Sequence, residues 1–151
     1  LEWVLLAYRL PREPSTPRIT VWRKLRKLGA LQVVDGLVAL PADPRTVEAF
    51  EWLADEVLEA GGEAWTWRAT SSKQQDRALR QLAGDAVADE YRALIAKAAD
   101  VEANPNSRAV DRLRRELRTI EGRDYFASKE RERARRAVER VAARQAVSAA
   151  T

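Results

Sequence analysis

The sequence predicts an α+β fold: a ferredoxin-like β-α-β-β-α-β unit followed by an α-helical C-terminal extension. Three observations predict it. Two short β-forming runs flank Asp35-Gly36, two amphipathic stretches each open at a proline, and strand-like runs stand at both ends of the first seventy residues. Beyond residue 72 the apolar period is helical throughout. Residues 1–70 are therefore read as the α+β unit and 71–151 as a helical extension packing on it or on a dimer mate.

Residues 3–8 (Trp-Val-Leu-Leu-Ala-Tyr) are apolar on both alternating faces, the mark of a central strand covered on both sides. The proline-rich loop 10–17 leads into a helix with Thr16 as N-cap and Pro17 as its first residue. Its core stripe is Val21, Trp22, Leu25 and Leu28, and Gly29 stops it. Asp35-Gly36 between 31–34 and 37–40 predicts a hairpin, because a tight turn needs positive φ. Asp43-Pro44 opens the second helix, with Val47, Phe50, Leu53, Ala54, Val57 and Leu58 inward. After Gly61-Gly62, residues 63–69 form a strand with Trp65 and Trp67 on one face. Two helices cover one face of such a sheet, so a second cover is expected over the other. It comes from the later helices or from a second copy of the chain.

Ser72 is placed as the cap of a helix with Leu79, Leu82, Val87, Tyr91, Leu94, Ile95, Ala98 and Val101 on its apolar positions, which Gly84 kinks or splits. After Asn104-Pro105, a shorter helix repeats Val110, Leu113, Leu117 and Ile120 and ends at Gly122. The connector 123–126 holds Tyr125 and Phe126. A last helix, from about Ser128 towards Ala146, has a thin stripe of Ala134, Val138 and Val141.

The chain has no cysteine and no histidine. Disulfides, thiolate nucleophiles, zinc fingers and Ser-His-Asp triads are excluded with them. No apolar run approaches the ~20 residues of a membrane span, so no membrane partner is expected. The sequence lacks an initiator Met and is read as a piece of a longer protein. No glycine-rich phosphate loop is present and no cofactor is implied. Carboxylates fall on helix exteriors without a clustered base, so no enzyme is expected.

Charge is unevenly spread. Residues 1–103 carry 14 Lys/Arg against 16 Asp/Glu, and residues 104–151 carry 13 against 7. The basic C-terminal third suits nucleic acid or another anion. The interleaved Asp111, Glu116, Glu121, Glu130, Glu132 and Glu139 favour a salt-bridged helix surface instead. Of the five tryptophans (3, 22, 52, 65 and 67), four fall on expected core faces, so core or dimer interface outweighs base stacking. The strongest polar cluster is Arg9, Arg12, Arg18, Arg23, Lys24, Arg26 and Lys27, around the end of the first strand and the first helix. It reads either as an anion- or nucleic-acid-binding site beside a helix N-terminus or as a solubilising helix face.

These residues also carry a family resemblance. Residues 3–18, 21–31 (Val-Trp-Arg-Lys-Leu-Arg-Lys-Leu-Gly-Ala-Leu), 40–46 (Leu-Pro-Ala-Asp-Pro-Arg-Thr) and 61–64 (Gly-Gly-Glu-Ala) resemble the N-terminal domain of ChrB-type chromate resistance regulators. The run Pro11-Arg-Glu-Pro14 followed by Val21-Trp-Arg-Lys-Leu25 is the specific part, and Arg123-Asp-Tyr-Phe126 adds a weaker match. The resemblance implies a cytoplasmic transcriptional regulator acting with a chromate efflux transporter, whose full-length members carry a second, C-terminal domain. A more distant likeness joins the first strand, its loop and the helix to PaaX-type repressors and to small ferredoxin-like CRISPR-associated endonucleases. In those nucleases an Asp at the end of strand one holds the metal, whereas Arg9 stands here. The expectation is a homodimeric regulatory domain binding DNA or a tetrahedral oxyanion such as chromate. A dimerisation scaffold without its own ligand is the alternative, and a divergent metal-dependent nuclease comes last.

Overall fold

The computed structural model describes all residues 1–151. The elements run β1 (Glu2–Arg9), α1 (Thr16–Leu28), β2 (Leu31–Val34), β3 (Leu37–Pro41), α2 (Pro44–Glu59), β4 (Glu63–Thr70), α3 (Lys73–Glu102), α4 (Ser107–Gly122) and α5 (Glu130–Ala150). The fold is α+β, with one four-stranded sheet in the order β2-β3-β1-β4 and every neighbouring pair antiparallel. Two compact units result, Leu1–Arg80 and Gln81–Thr151.

In the first unit, side chains alternate across the sheet. Val4 and Leu6 pair with Leu40 and Val38 on one face, and all four are buried with Val21 and Leu25 of α1 and Phe50, Leu53 and Val57 of α2. Trp3, Leu5 and Ala7 lie on the other face, paired across to Ala69, Trp67 and Trp65. The first turns of α3 reach this second face: Trp3 is buried, and its indole Nε1 donates to Asp76 Oδ1 at 2.7 Å. An apolar groove of ≈ 320 Å³ remains there, lined by Leu5, Val33, Leu37 and Ala69 among others.

Helix starts follow their local chemistry unevenly. At α2, Asp43 and Thr46 form a reciprocal capping box, with Asp43 accepting from the Thr46 amide at 2.8 Å. At α1 the expected cap is displaced: Thr16 is already helical, Ser15 is the flanking residue, and its side chain caps nothing. Three further expectations are corrected. Trp22 and Leu58 point outward, because their positions rotate past the edge of the buried stripe, and Leu82 is exposed as well. α3 is not split at Gly84 but runs unbroken from Lys73 to Glu102. Of the four tryptophans assigned to core faces only Trp3 is buried; Trp22, Trp65 and Trp67 are 53%, 65% and 51% exposed.

The second unit has its own core. Val87, Tyr91, Leu94 and Ala98 of α3 meet Val110, Leu113 and Ile120 of α4 and Ala134, Ala137, Val138 and Val141 of α5. Small residues on α5 allow close helix approach, which is why a stripe that looks thin in sequence is almost wholly buried. The connector is fixed by Asp124, which accepts from the buried Tyr91 hydroxyl at 2.8 Å and from the Ser128 amide at 3.0 Å. Burial and this bond to a carboxylate push the Tyr91 hydroxyl well above its ordinary pKa.

Candidate functional site

Two glycines shape the end of β1. Gly36 has φ +75°, and a Cβ there would stand 2.8 Å from the Tyr8 carbonyl oxygen. The Tyr8 amide in turn donates to the Gly36 carbonyl at 2.8 Å. A Cβ on Gly62 would run into the Arg9 carbonyl and Val57. Only glycine lets the hairpin turn and the start of β4 close this tightly on β1. That closure sets Tyr8 and Arg9 beside the first turns of α1, where Tyr8, Arg9, Leu10, Arg18, Ile19, Trp22 and Gly36 line a hollow of ≈ 380 Å³. Burial raises the Tyr8 hydroxyl pKa.

The seven cations predicted from sequence divide by partner. Arg9 forks onto both oxygens of Glu63 at 3.1 Å across the β1–β4 pair. Lys24 reaches Glu56 of α2 at 2.6 Å. Arg26 stacks its guanidinium 4.9 Å from the centre of the Trp22 ring, a cation–π contact worth about 0.5–1 kcal/mol at an exposed site. Arg12, Arg18, Arg23 and Lys27 are exposed with no carboxylate within ion-pair distance. Arg9 and Arg18 therefore share the hollow, Arg23 and Lys27 lie one turn apart on the outer face of α1, and Arg12 sits in the loop before it.

Two features bear on what this surface attracts. Arg26 and Lys27 lie in the last turn of α1, where cations suit the helix dipole and need no ligand to explain them. Arg18 lies in the first turn, where a cation opposes the dipole, no acid compensates and no side chain caps the amides. An anion there would relieve both. Next door, the outward positions of α2 are acidic: Glu48, Glu51, Asp55 and Glu59 are all exposed. Lys24, paired with Glu56, marks the side of α1 that faces α2, and Trp22 and Arg26 lie about half a turn round the helix from it.

Sequence reasoning missed the exposure of Trp22, and the signal was present. Arg18, Trp22 and Arg26 recur every four residues, so the indole belongs to a basic stripe rather than to the Val21–Leu25 stripe. No three Asp or Glu side chains come together in a way that could hold a metal ion. No helix is long and apolar enough to cross a membrane.

The family described as "Protein ChrB, N-terminal" matches residues 18–150. Protein ChrB of Cupriavidus metallidurans is 32% identical over 92 residues, which is 61% of this chain and 25% of that protein. The matched segment thus spans about a quarter of the relative's length. No solved structure matches the chain. The family match runs from the first turn of α1 through the end of α5, taking in the basic helix and the helical second unit alike, and on that extent the chain belongs to the ChrB N-terminal family.

Proposed function

We propose that this chain is the regulatory domain of a chromate resistance regulator and that it binds DNA phosphates through the outer face of α1. One observation carries the reading: Arg18 and Arg23 stand without acidic partners on α1, the helix that also carries the exposed Trp22–Arg26 stack, and Arg12 stands without one in the loop before it. Guanidinium groups bind phosphate oxygens in pairs of hydrogen bonds. The family supports a role in chromate resistance. The strand order β2-β3-β1-β4 with antiparallel neighbours supports a ferredoxin-like arrangement for residues 1–70. The reading assigns no catalysis to the domain and sets it in the cytoplasm, where such a regulator meets its operator.

A tetrahedral oxyanion such as chromate is less well supported as the ligand. The hollow beside Arg9 and Arg18 has the volume of a site for a drug-sized ligand, with Leu10, Ile19 and Trp22 in its lining, and Arg9 is already tied to Glu63. Titrating labelled promoter DNA and chromate separately against wild type and four variants distinguishes the two. DNA binding weakens with salt by about 0.9 log units per log unit for each phosphate contact, and falls for Arg12→Ala, Arg23→Ala and Lys27→Ala but hardly for Arg9→Ala. Chromate binding that ranks Arg9→Ala as most damaging would replace the DNA reading.

A second reading, a homodimeric scaffold, is favoured by the open sheet face, where Trp65 and Trp67 remain exposed above an apolar groove.

A further inference from the structure

The second unit divides its arginines in a way the fold does not require. On α5, Arg131 and Arg135 bracket Glu121, Arg133 meets Glu130, Arg136 meets Glu132 and Arg144 meets Glu102, while Arg140 is exposed and meets no carboxylate. On α4, Arg114 approaches Glu139. Arg108, Arg112, Arg115 and Arg118 are exposed and have no carboxylate within ion-pair distance. Their spacing of four, three and three residues stacks them along one side of the helix. Like charges so placed destabilise a helix, and Asp111 is the single acid among them, since Glu116 is held by Lys97 and Glu121 by α5. Every large apolar residue of α4 (Val110, Leu113, Leu117, Ile120) is turned to the core of this unit.

We propose that the outer face of α4 is a separate phosphate-binding surface, recognising the backbone of a nucleic-acid duplex. Eleven residues of helix, 108–118, carry the row over about 15 Å, along which one DNA strand offers a phosphate every ~3.4 Å of axis. Arginine rather than lysine suits paired contacts to phosphate oxygens. A lipid surface fits less well, because this face offers no apolar side chain to bury among acyl chains. The proposal takes its ligand class from the DNA reading of α1 but rests on different residues, so the two stand or fall separately.

The test uses the full chain, a short fluorescent DNA duplex, and phosphatidylserine–phosphatidylcholine vesicles. Three variants are compared with wild type. The α4 variant carries Arg108→Gln, Arg112→Gln, Arg115→Gln and Arg118→Gln. The α1 variant carries Arg12→Gln, Arg18→Gln and Arg23→Gln. A charge-matched control carries Arg133→Gln, Arg136→Gln, Arg140→Gln and Arg144→Gln on α5. The α4 variant is expected to keep its circular dichroism and to melt no lower than wild type, to bind duplex at least tenfold more weakly at low salt, and to lose about 0.9 from the salt slope per phosphate contact removed. The α5 control is expected to lose much less. Equal losses in both would mean net charge alone and would overturn the α4 site, as would wild-type affinity in the α4 variant or Arg-dependent binding to vesicles but not to duplex. A loss confined to the α1 variant sinks the α4 site and leaves the α1 reading standing; a loss confined to the α4 variant does the reverse.

Discussion

Tyr91 and Asp124 show how a single pair can hold a connector. The Tyr91 hydroxyl is buried and gives its hydrogen to a carboxylate that also receives the Ser128 amide, so one acid ties α3 to the turn before α5. Tyr91→Phe removes a hydrogen bond to a charged group, which is worth about 1.5–3 kcal/mol. Urea unfolding followed by circular dichroism should show a loss of that size with an unchanged slope. Asp76 is the corresponding residue in the first unit. The Trp3 indole, and then Arg80, hold its carboxyl below the ordinary value of 3.8. A depressed carboxylate pKa stabilises the fold above the unfolded value, and that contribution disappears as pH falls through the folded one. Asp76→Asn keeps an acceptor for Trp3 and removes only the charge. The difference in melting temperature between wild type and this variant should be full at pH 7 and should close as the pH drops below the ordinary carboxylate range. A gap that shows no dependence on pH would mean that the charge is not what Trp3 and Arg80 hold.

Among the elements, α1 and α2 make an instructive contrast. Both start at a Ser/Thr/Asp-plus-proline signal, yet only Asp43 captures an amide; its box with Thr46 is closed by the Asp43 amide donating to the Thr46 hydroxyl at 3.0 Å, and that hydroxyl in turn donates to the Pro41 carbonyl at 2.6 Å. Asp43→Ala should cost about 1 kcal/mol, read as a fall in melting temperature, whereas Thr16→Ala should change it little. The uncapped start of α1 faces Arg18 and the hollow beside β1, so the weaker helix start is also the one with an interaction still available to it. The basic helices diverge similarly. Sequence alone pointed to a salt-bridged surface for residues 104–151, and α5 is one. The outer row of α4 is not, because Glu116 and Glu121 are drawn aside to Lys97 and α5.

For the whole molecule, the open question is what covers the second face of the sheet. The start of α3 buries Trp3 but leaves Trp65 and Trp67 on the edge strand exposed. Exposed aromatic area of this kind is characteristic of an interaction surface, and a second copy is the partner we propose. Light scattering at micromolar concentration should give about twice the 17.0 kDa of the chain, and Trp65→Ser with Trp67→Ser should return it to a monomer. A clean monomer in the wild type would remove this reading and leave the two proposed phosphate-binding surfaces as the domain's output.

The sequence by itself determined the α+β class, the order of the elements, the Asp43 cap, the Asp35-Gly36 turn and the apolar stripes of α4 and α5. These depend on local propensity and on periods of two and 3.6, which a single chain displays directly. It also carried the family resemblance and the inventory of cations. Only the tertiary structure decided which cations have partners. Arg9 finds Glu63 54 residues away and Lys24 finds Glu56 32 residues away, whereas Arg18, Arg23 and the row on α4 find none. Exposure of Trp22, Trp65 and Trp67 was decided there as well. An aromatic on an amphipathic boundary or an edge strand is buried only if another element arrives to cover it, and that arrival is a non-local event which no local pattern records.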